Sequence, residues 1–479
     1  MKGFPAWRNF AKGAKSWYTG GMNFQRRDFL GTAVAAAASF VFPNLRASVA
    51  SPNGRVNMAF IGIGNQGRHD FSMFAYYRDL VNIVAFCDTQ MGAQHTLQVL
   101  KEHPDVPRYQ DFRKMLEEKG KDIDAVCIAT PDFSHFPAAM LAMSMGKAVY
   151  CEKPMCNGFR ETALMMAAAK RHRVVTQMGN QGHSDANYWQ MRELVGNGFI
   201  KDVEHVDAYM CANNRRWFKW NGTLKEMPGA EEVPAGMDWD VWLSHRPFRP
   251  FNHNFINGDW RCFYEYGTGV LGDWGAHLFD AAHEFLKLGL PTAIETIRND
   301  RRTPVVFPMA STVRYVFPAR GEGMPACTLD WHDGAGNFPE PVAQVTDSKW
   351  KRRDCGAELR LKDGRVFARG SHGSPLRLVA GGDPRDPQIK KTLREFPRKK
   401  SGHYLNFLKA VKGEERTNSD FAVAGPLSQV MALGAIAQRM AAPRLEFDPG
   451  KGRFVGNDAA NALLDGPADR KGWEEFARL

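Results

Sequence analysis

At 479 residues, 44% hydrophobic and 24% charged, the chain has the balance of an ordinary folded protein, which excludes a disordered polymer and leads us to expect two domains. Its formal net charge of +11 is concentrated at the start: the first fifty residues hold seven Lys/Arg and one acid, and without them 56 basic residues face 51 acidic ones. A net of +5 with no basic stripe interleaved with aromatics gives nucleic-acid binding no support, and the eight cysteines show neither a CxxC pair nor zinc-ligand spacing.

The segment that carries the excess charge reads as a targeting signal. Arg26-Arg27-Asp28-Phe29-Leu30 opens a 14-residue, alanine-rich apolar run from Phe29 to Phe42, too short to span a bilayer comfortably. It resembles a twin-arginine export signal. Ser48-Val49-Ala50 offers small side chains to a signal peptidase, and no cysteine follows to accept a lipid. Cleavage after Ala50, a periplasmic product and no stable membrane span are therefore expected. The resemblance implies passage through the twin-arginine export machinery, which carries proteins already folded around a cofactor.

From residue 51 onward strand and helix alternate. Val56-Asn57-Met58-Ala59-Phe60-Ile61 is a short apolar run that ends in Gly62-Ile63-Gly64-Asn65-Gln66-Gly67. A stretch of helix length, Arg68 to Leu80, leads to a second apolar run, Val81 to Phe86. Ala125 to Ala129, Ala148 to Tyr150 and Val174 to Thr176 follow as further strands, with a helical stretch from His135 to Met145; Cys87 and Cys127 fall beside or within these runs as core thiols. The alternation predicts a parallel, doubly wound sheet over residues 51–178. A glycine turn between a strand and a helix is the dinucleotide pattern of a Rossmann domain. Gly62 permits the tight turn, Gly64 lets the backbone approach a pyrophosphate, and Gly67 lets the helix pack closely. The pyrophosphate is expected at the positive end of that helix. Asp88 follows about twenty residues later, where an acid binds the adenosine ribose hydroxyls and repels a 2′-phosphate, so NAD is favoured over NADP.

Beyond residue 180 the pattern shifts to longer β-rich stretches, Val203 to Met210, Thr312 to Phe317, Ala326 to Trp331 and Ala357 to Leu361, broken by glycine and proline. An α+β domain with a large, mostly antiparallel sheet is expected over residues 179–402, with 335–355 and 370–402 as loops. Residues 403–479 are expected to be helices and a tail that pack back on both domains. Asp273 and His277 stand four apart in Gly272-Asp273-Trp274-Gly275-Ala276-His277. On one helix from Val270 to Leu288 they share a face, where the carboxylate can orient the imidazole. His277 is then the candidate base for a hydroxyl proton, and Asp273 assists it. Asp280, His283 and Glu284 match no metal-ligand spacing, so no metal is expected. Ten aromatic residues crowd the 36 positions from Trp239 to Trp274, a concentration that serves sugar stacking and core packing equally. Tyr266 and Trp274 are candidate substrate contacts among them. Arg215, Arg216 and Arg261 are candidate partners for hydroxyls or a carboxylate, or simply solvated charges.

Two further strings sharpen the reading: Ala129-Thr130-Pro131-Asp132-Phe133-Ser134-His135 after the third strand and Cys151-Glu152-Lys153-Pro154 after the fourth. Together they resemble the Gfo/Idh/MocA family from about residue 55 to 465. The resemblance implies that Thr130, Pro131, Asp132 and His135 border the nicotinamide and its ribose, with His135 structural or cofactor-facing. It implies that Glu152 lies at the cofactor and that Lys153 faces the transferred hydride, steadying alkoxide character on the reacting oxygen. Asn180-Gln181-Gly182-His183 is similar to a segment that reaches nicotinamide and substrate, and the Asp273/His277 pair resembles that family's acid/base pair. The function implied is an exported NAD-dependent oxidoreductase acting on a secondary hydroxyl or ketone of a sugar, sugar derivative or glycoside, with the cofactor retained through turnover. One rival is a glycosidase that uses NAD transiently, as an exported α-N-acetylgalactosaminidase of the same broad family does. Another is a periplasmic binding protein with a vestigial site. Family resemblance and a broad second sheet favour a homodimer or homotetramer.

Overall fold

The structure, a computed structural model, describes residues 54–213, 218–396, 401–440 and 442–479; the export segment and Arg215 and Arg216 lie outside the described residues. The first sheet has six parallel strands: β1 (Val56–Ile61), β2 (Val81–Cys87), β3 (Arg108–Tyr109), β4 (Ala125–Ile128), β5 (Ala148–Cys151) and β6 (Thr176–Met178), in the order β3-β2-β1-β4-β5-β6. Helices α1 (Gln66–Ala75), α2 (Gln94–Glu102), α3 (Phe112–Lys119), α4 (His135–Ser144) and α5 (Phe159–His172) link them. Both faces of the sheet are covered, which is why β4 and β5 are apolar throughout and buried at every position. Strand order reverses between β1 and β4, and an open α/β sheet binds its ligand beyond the carboxyl ends of the strands at such a point. Register brings the motifs together there. Gly62 N donates to Cys87 O, Ala129 N to Ile61 O, and Glu152 N to Ile128 O, at 2.7, 2.9 and 2.8 Å, so the turns after β1, β4 and β5 leave the sheet side by side.

After α6 (Ala186–Gly196) the chain builds a nine-stranded sheet from β7 (Val203–Met210), β8 (Ala293–Asp300), β9 (Ala310–Phe317), β10 (Cys327–Asp333), β11 (Cys355–Leu361), β12 (Val366–Arg369), β13 (Arg377–Ala380), β14 (Arg444–Asp448) and β15 (Arg453–Phe454). Every pairing in it is antiparallel except β7 with β10. Between β7 and β8 run α7 (Trp239–Leu243), α8 (Gly269–Leu278) and α9 (Asp280–Phe285). The single helix expected over Val270 to Leu288 is thus two, interrupted at Phe279, although Phe279 N to Gly275 O and His283 N to Phe279 O carry the hydrogen bonding across the break.

The segment 370–402, expected as loop, contains β13 and α10 (Pro387–Arg394). The strand is only four residues long between Pro375 and Gly381. The helix begins on Asp386, whose side chain accepts from Gln388 N and Ile389 N, with Pro387 in the first turn. The last helices are α11 (His403–Val411), α12 (Phe421–Arg439) and α13 (Asp458–Asp465). Tyr404, Phe407 and Leu408 of α11 join the core of the first sheet beside Phe74 and Tyr150. α12 is long and apolar enough to cross a membrane by length and composition, yet 78% of that stretch is buried inside the protein, against α5, α8 and the second sheet. The eight cysteines carry no disulfide.

Candidate active site

The glycine turn is as tight as its residues allow. Gly62 adopts φ +82°, and a Cβ on Gly67 would fall 2.1 Å from the Gly62 carbonyl oxygen, so α1 presses directly on the turn. Asp88 is fixed to the same turn: Oδ2 accepts from Ile63 N at 3.0 Å and Oδ1 from Gln90 N at 2.8 Å. The N-terminus of α1 has no side-chain cap: Asn65, at φ +45°, makes no capping hydrogen bond to the first amides. Uncapped amides at a helix start are donors and carry the positive end of the dipole, the arrangement that holds a pyrophosphate.

From this turn a cleft of about 570 Å³ runs past Gly64, Asp88, Thr130 and Lys153 to Arg261 and Asp273. Thr130 Oγ1 is buried on its wall with no hydrogen-bond partner among the described residues. An unmatched hydroxyl of this kind, a glycine cradle and uncapped amides fit a dinucleotide. Two lining features escape sequence reading. His95 of α2 lies against Gly64, its ring filling the place of a Cβ there. At the Asp88 end the second domain closes over: Asp238 N donates to Thr89 O at 2.8 Å, Gln110 Nε2 to Gly236 O at 2.9 Å, and Gln90 pairs with Met237.

The far end of the cleft is built on charge. Lys153 Nζ donates to the Asp273 backbone oxygen at 2.9 Å and to Asp273 Oδ1 at 2.6 Å, and Arg261 Nε stands 3.6 Å from the same carboxylate. Burial pushes the Asp273 carboxyl up, but Lys153 and Arg261 outweigh it and hold the group below the usual carboxylate range. Asp132 is the opposite case: burial raises it to about 7 against the pull of Arg261 and of Thr268, whose N and Oγ1 both donate to Oδ2. The Lys153–Asp273 pair corrects the expected orientation of His277 by Asp273. A cation makes the stronger, charge-assisted hydrogen bond, so the carboxylate goes to Lys153. His277 instead meets the ring of His372 at 4.1 Å between centroids, with Trp274 beside both, and its Nδ1 has no partner among the described residues. Burial, with Lys153 and His372 adding to it, holds His277 well below its ordinary pKa, so the ring stands neutral.

The remaining expected residues divide into supports of the cleft and residues turned away from it. His135 places Nδ1 3.0 Å from Pro154 O and Nε2 2.8 Å from Thr130 O, tying the turn after β4 to the turn after β5. Burial lowers its pKa to about 4. Glu152 accepts from Gln66 and Gln181 through Oε1 and from Lys153 N through Oε2. Asp70, buried beside it, is pushed well up by burial and by the Glu152 charge, and accepts from Tyr404 Oη at 2.8 Å and from Gln66 Nε2 at 2.9 Å. This buried group ties Asn65-Gln66 and the glycine turn to the backbone of Lys153, while Pro131 continues the cleft wall from Thr130.

Asn180 and His183, expected at nicotinamide and substrate, point inward. Asn180 Nδ2 donates to Asp280 Oδ2 at 2.8 Å and His183 Nδ1 lies 3.0 Å from the same oxygen, because both side chains are fully buried against the acids of α9, Glu284 standing 3.4 Å from His183 Nε2. Tyr266 is also corrected: it is fully buried among Phe133, Trp242, Phe255 and Phe263, since the crowded aromatics pack on one another. One group among the described residues has its ligand atoms close enough for a cation, His205, Asp207 and Asp330, but Arg360 and Arg314 already bind those carboxylates at 2.9 and 2.7 Å.

Comparison with known proteins agrees with this architecture. The family profile described as oxidoreductase family, NAD-binding Rossmann fold, matches residues 56–180, and its companion, the C-terminal alpha/beta domain, matches residues 186–299. A glycosyl hydrolase family 109 protein of Stenotrophomonas maltophilia is 36% identical over 138 residues, covering 27% of this chain and 29% of that protein. An inositol 2-dehydrogenase of Salmonella agona is 27% identical over 142 residues, covering 29% of this chain and 41% of that protein. The matched segment spans less than half the length of each of these curated relatives. The WlbA dehydrogenase of Bordetella pertussis, solved in complex with NADH and UDP-GlcNAcA, shares the fold at a TM-score of 0.56 and 13% identity, over 82% of this chain and 99% of that one. With both halves of the family pattern present in order, and the cofactor turn and Lys153 meeting in one cleft, this chain belongs to the Gfo/Idh/MocA family of NAD-binding oxidoreductases.

Proposed function

We propose that the protein oxidises or reduces a secondary hydroxyl or ketone of a sugar, sugar derivative or glycoside, with NAD bound from the glycine turn to Lys153. The observation that carries this is the state of the Lys153 ammonium group. Two of its protons lie on Asp273, which leaves a third for an oxygen in the cleft that Lys153 lines. When bound, NAD supplies the acceptor or donor of a hydride. Lys153 holds the reacting oxygen and stabilises the negative charge that develops on it, while Asp273, with Arg261 beside its carboxylate, keeps the ammonium in place. His277, neutral and with no partner at Nδ1 among the described residues, is the candidate proton acceptor beside the Lys153–Asp273 pair. Gly62, Gly64, Asp88 and Thr130 bind and orient the dinucleotide.

The bridge from Gly236–Asp238 to Thr89, Gln90 and Gln110 supports a cofactor that stays bound through turnover. Retention suits an exported enzyme, and we propose export by the twin-arginine route with residues 1–50 as the signal. A homodimer or homotetramer is the proposed assembly. The glycosyl hydrolase family 109 relatives favour a second reading, in which bound NAD oxidises a glycoside, the aglycone leaves and the hydride returns. A non-catalytic binding protein is the remaining reading.

The test is to release and identify the dinucleotide of the purified protein, then supply panels of free sugars and aryl glycosides. Reduction of bound or added NAD without aglycone release supports the dehydrogenase. Aglycone release with no net change in cofactor replaces it with the glycosidase, and silence on both panels from a protein without dinucleotide overturns both.

A further inference from the structure

The loop between β12 and β13 brings to the active site a residue that the motifs do not mention. His372 lies almost a hundred residues beyond Asp273 in sequence, yet its ring is 4.1 Å from that of His277, tilted by 39°, and 5.6 Å from that of Trp274. The placement is built. Arg369, fully buried at the end of β12, donates through Nη2 to the His372 carbonyl oxygen, and Ser374 N donates to Ser371 O at 3.0 Å to close the turn. Gly182 lies under the loop, where a Cβ would come within 3.3 Å of His372 Cα. The segment Asn180 to His183 therefore meets the site by supporting this loop.

Two observations speak against His372 as mere packing. It holds φ +42°, a left-handed conformation that a residue with a Cβ rarely adopts and that glycine or asparagine would occupy with less strain. Its ring is half-buried and makes no hydrogen bond to any described residue, although Lys153 and Asp273 both act on it electrostatically. A strained backbone that presents an unbonded imidazole beside the site's cation is what a ligand-contacting residue requires.

We propose that His372 contacts the substrate, hydrogen-bonding a hydroxyl neighbouring the one that reacts, with Trp274 and His372 forming the substrate-side wall next to Lys153. The substrate class this recognises is a neutral polyhydroxylated ring. The inference rests on the sugar reading above and adds one residue to it.

His372→Gly separates the two roles, because glycine relieves the backbone while removing the imidazole. Expected are a Tm at or above that of the wild type, unchanged dinucleotide content, and a KM for the sugar raised about tenfold or more, with His372→Asn intermediate. A second readout needs no turnover. In NADH-loaded protein, diethylpyrocarbonate should carbethoxylate His372, as read by peptide mass spectrometry, and saturating sugar should protect it. A KM for His372→Gly within about twofold of wild type, together with no protection, overturns the assignment. If wild-type protein reduces no cofactor with any sugar yet sugar protects His372, the contact stands and the oxidoreductase reading fails. Absence of both turnover and protection overturns the two together.

Discussion

The two ends of the cleft are built in different ways. The end we assign to the adenosine and pyrophosphate is founded on one continuous stretch, β1 through Asp88, in which a strand, a glycine turn and the next strand fix one another by hydrogen bonds to the backbone, with His95 and Gly236–Asp238 packed onto it. The end we assign to the hydride gathers Thr130, Lys153, Arg261 and Asp273 from separate segments and holds Lys153, Arg261 and Asp273 by charge, and the proposed contacts His277 and His372 meet ring to ring. Backbone geometry makes the first end rigid and generic. Long-range charge pairing makes the second specific, and each end should fail in its own way.

The largest difference is expected from Lys153→Ala, which removes the ammonium group of the hydride end and leaves the other end untouched. Turnover should fall about 10³-fold, near 4 kcal/mol, with dinucleotide content unchanged. Steady-state rates beside cofactor release after denaturation check this; parallel loss of cofactor would erase the contrast between the ends.

His135 ties together two turns of the hydride end, those of Thr130 and Pro154, and its effect is on stability. The folded imidazole takes a proton only near pH 4, whereas an unfolded one does so near 6.5. Between those values the unfolded chain binds more protons, so this residue's contribution to folding weakens as pH falls. Relative to His135→Asn, the wild type should lose about 3 kcal/mol from above pH 6.5 down to about pH 4. Urea titrations of both proteins across that range measure it, and parallel curves would contradict it.

At the adenosine end, Asp88→Ser should weaken NAD by about 2 kcal/mol, raise the relative affinity for NADP and leave turnover at saturating NAD close to wild type. Calorimetric titration with each dinucleotide separates these effects, and an unchanged NAD affinity would remove Asp88 from the ribose. The smallest change is expected for Tyr266→Phe, a core substitution of about 1 kcal/mol by thermal denaturation with an unaltered sugar KM. A raised KM would return the aromatic cluster to the substrate.

The same contrast explains how much could be read from sequence. Alternating strands and helices, the glycines and Asp88 are local patterns, and the sheet's switch point then dictates where Thr130 and Lys153 emerge. Contacts made across the fold are not written in spacing. Asp273 and His277 share a helix at the interval that lets them meet, but Lys153 arrives from another domain and takes the carboxylate. Asn180 and His183 follow the first sheet as a cofactor segment would, but the buried Asp280 claims both. His95 comes to Gly64 by the packing of α2, and His372 by a loop in a basic, glycine-rich stretch whose short strand and helix leave little periodicity to detect. The aromatic run from Trp239 to Trp274 was open to two uses, and most of its rings bury one another, Trp239 and Trp242 stacking at 4.6 Å.

In the reaction we propose, a hydride passes between a sugar carbon and NAD held in this cleft. The most direct measurement supplies the protein, with its dinucleotide in place, with a sugar deuterated at its carbinol carbons, then releases the cofactor and determines its isotopic mass. Deuterium on the nicotinamide ring, absent in Lys153→Ala, is the predicted result; conversion of the sugar with no label in the cofactor would contradict it.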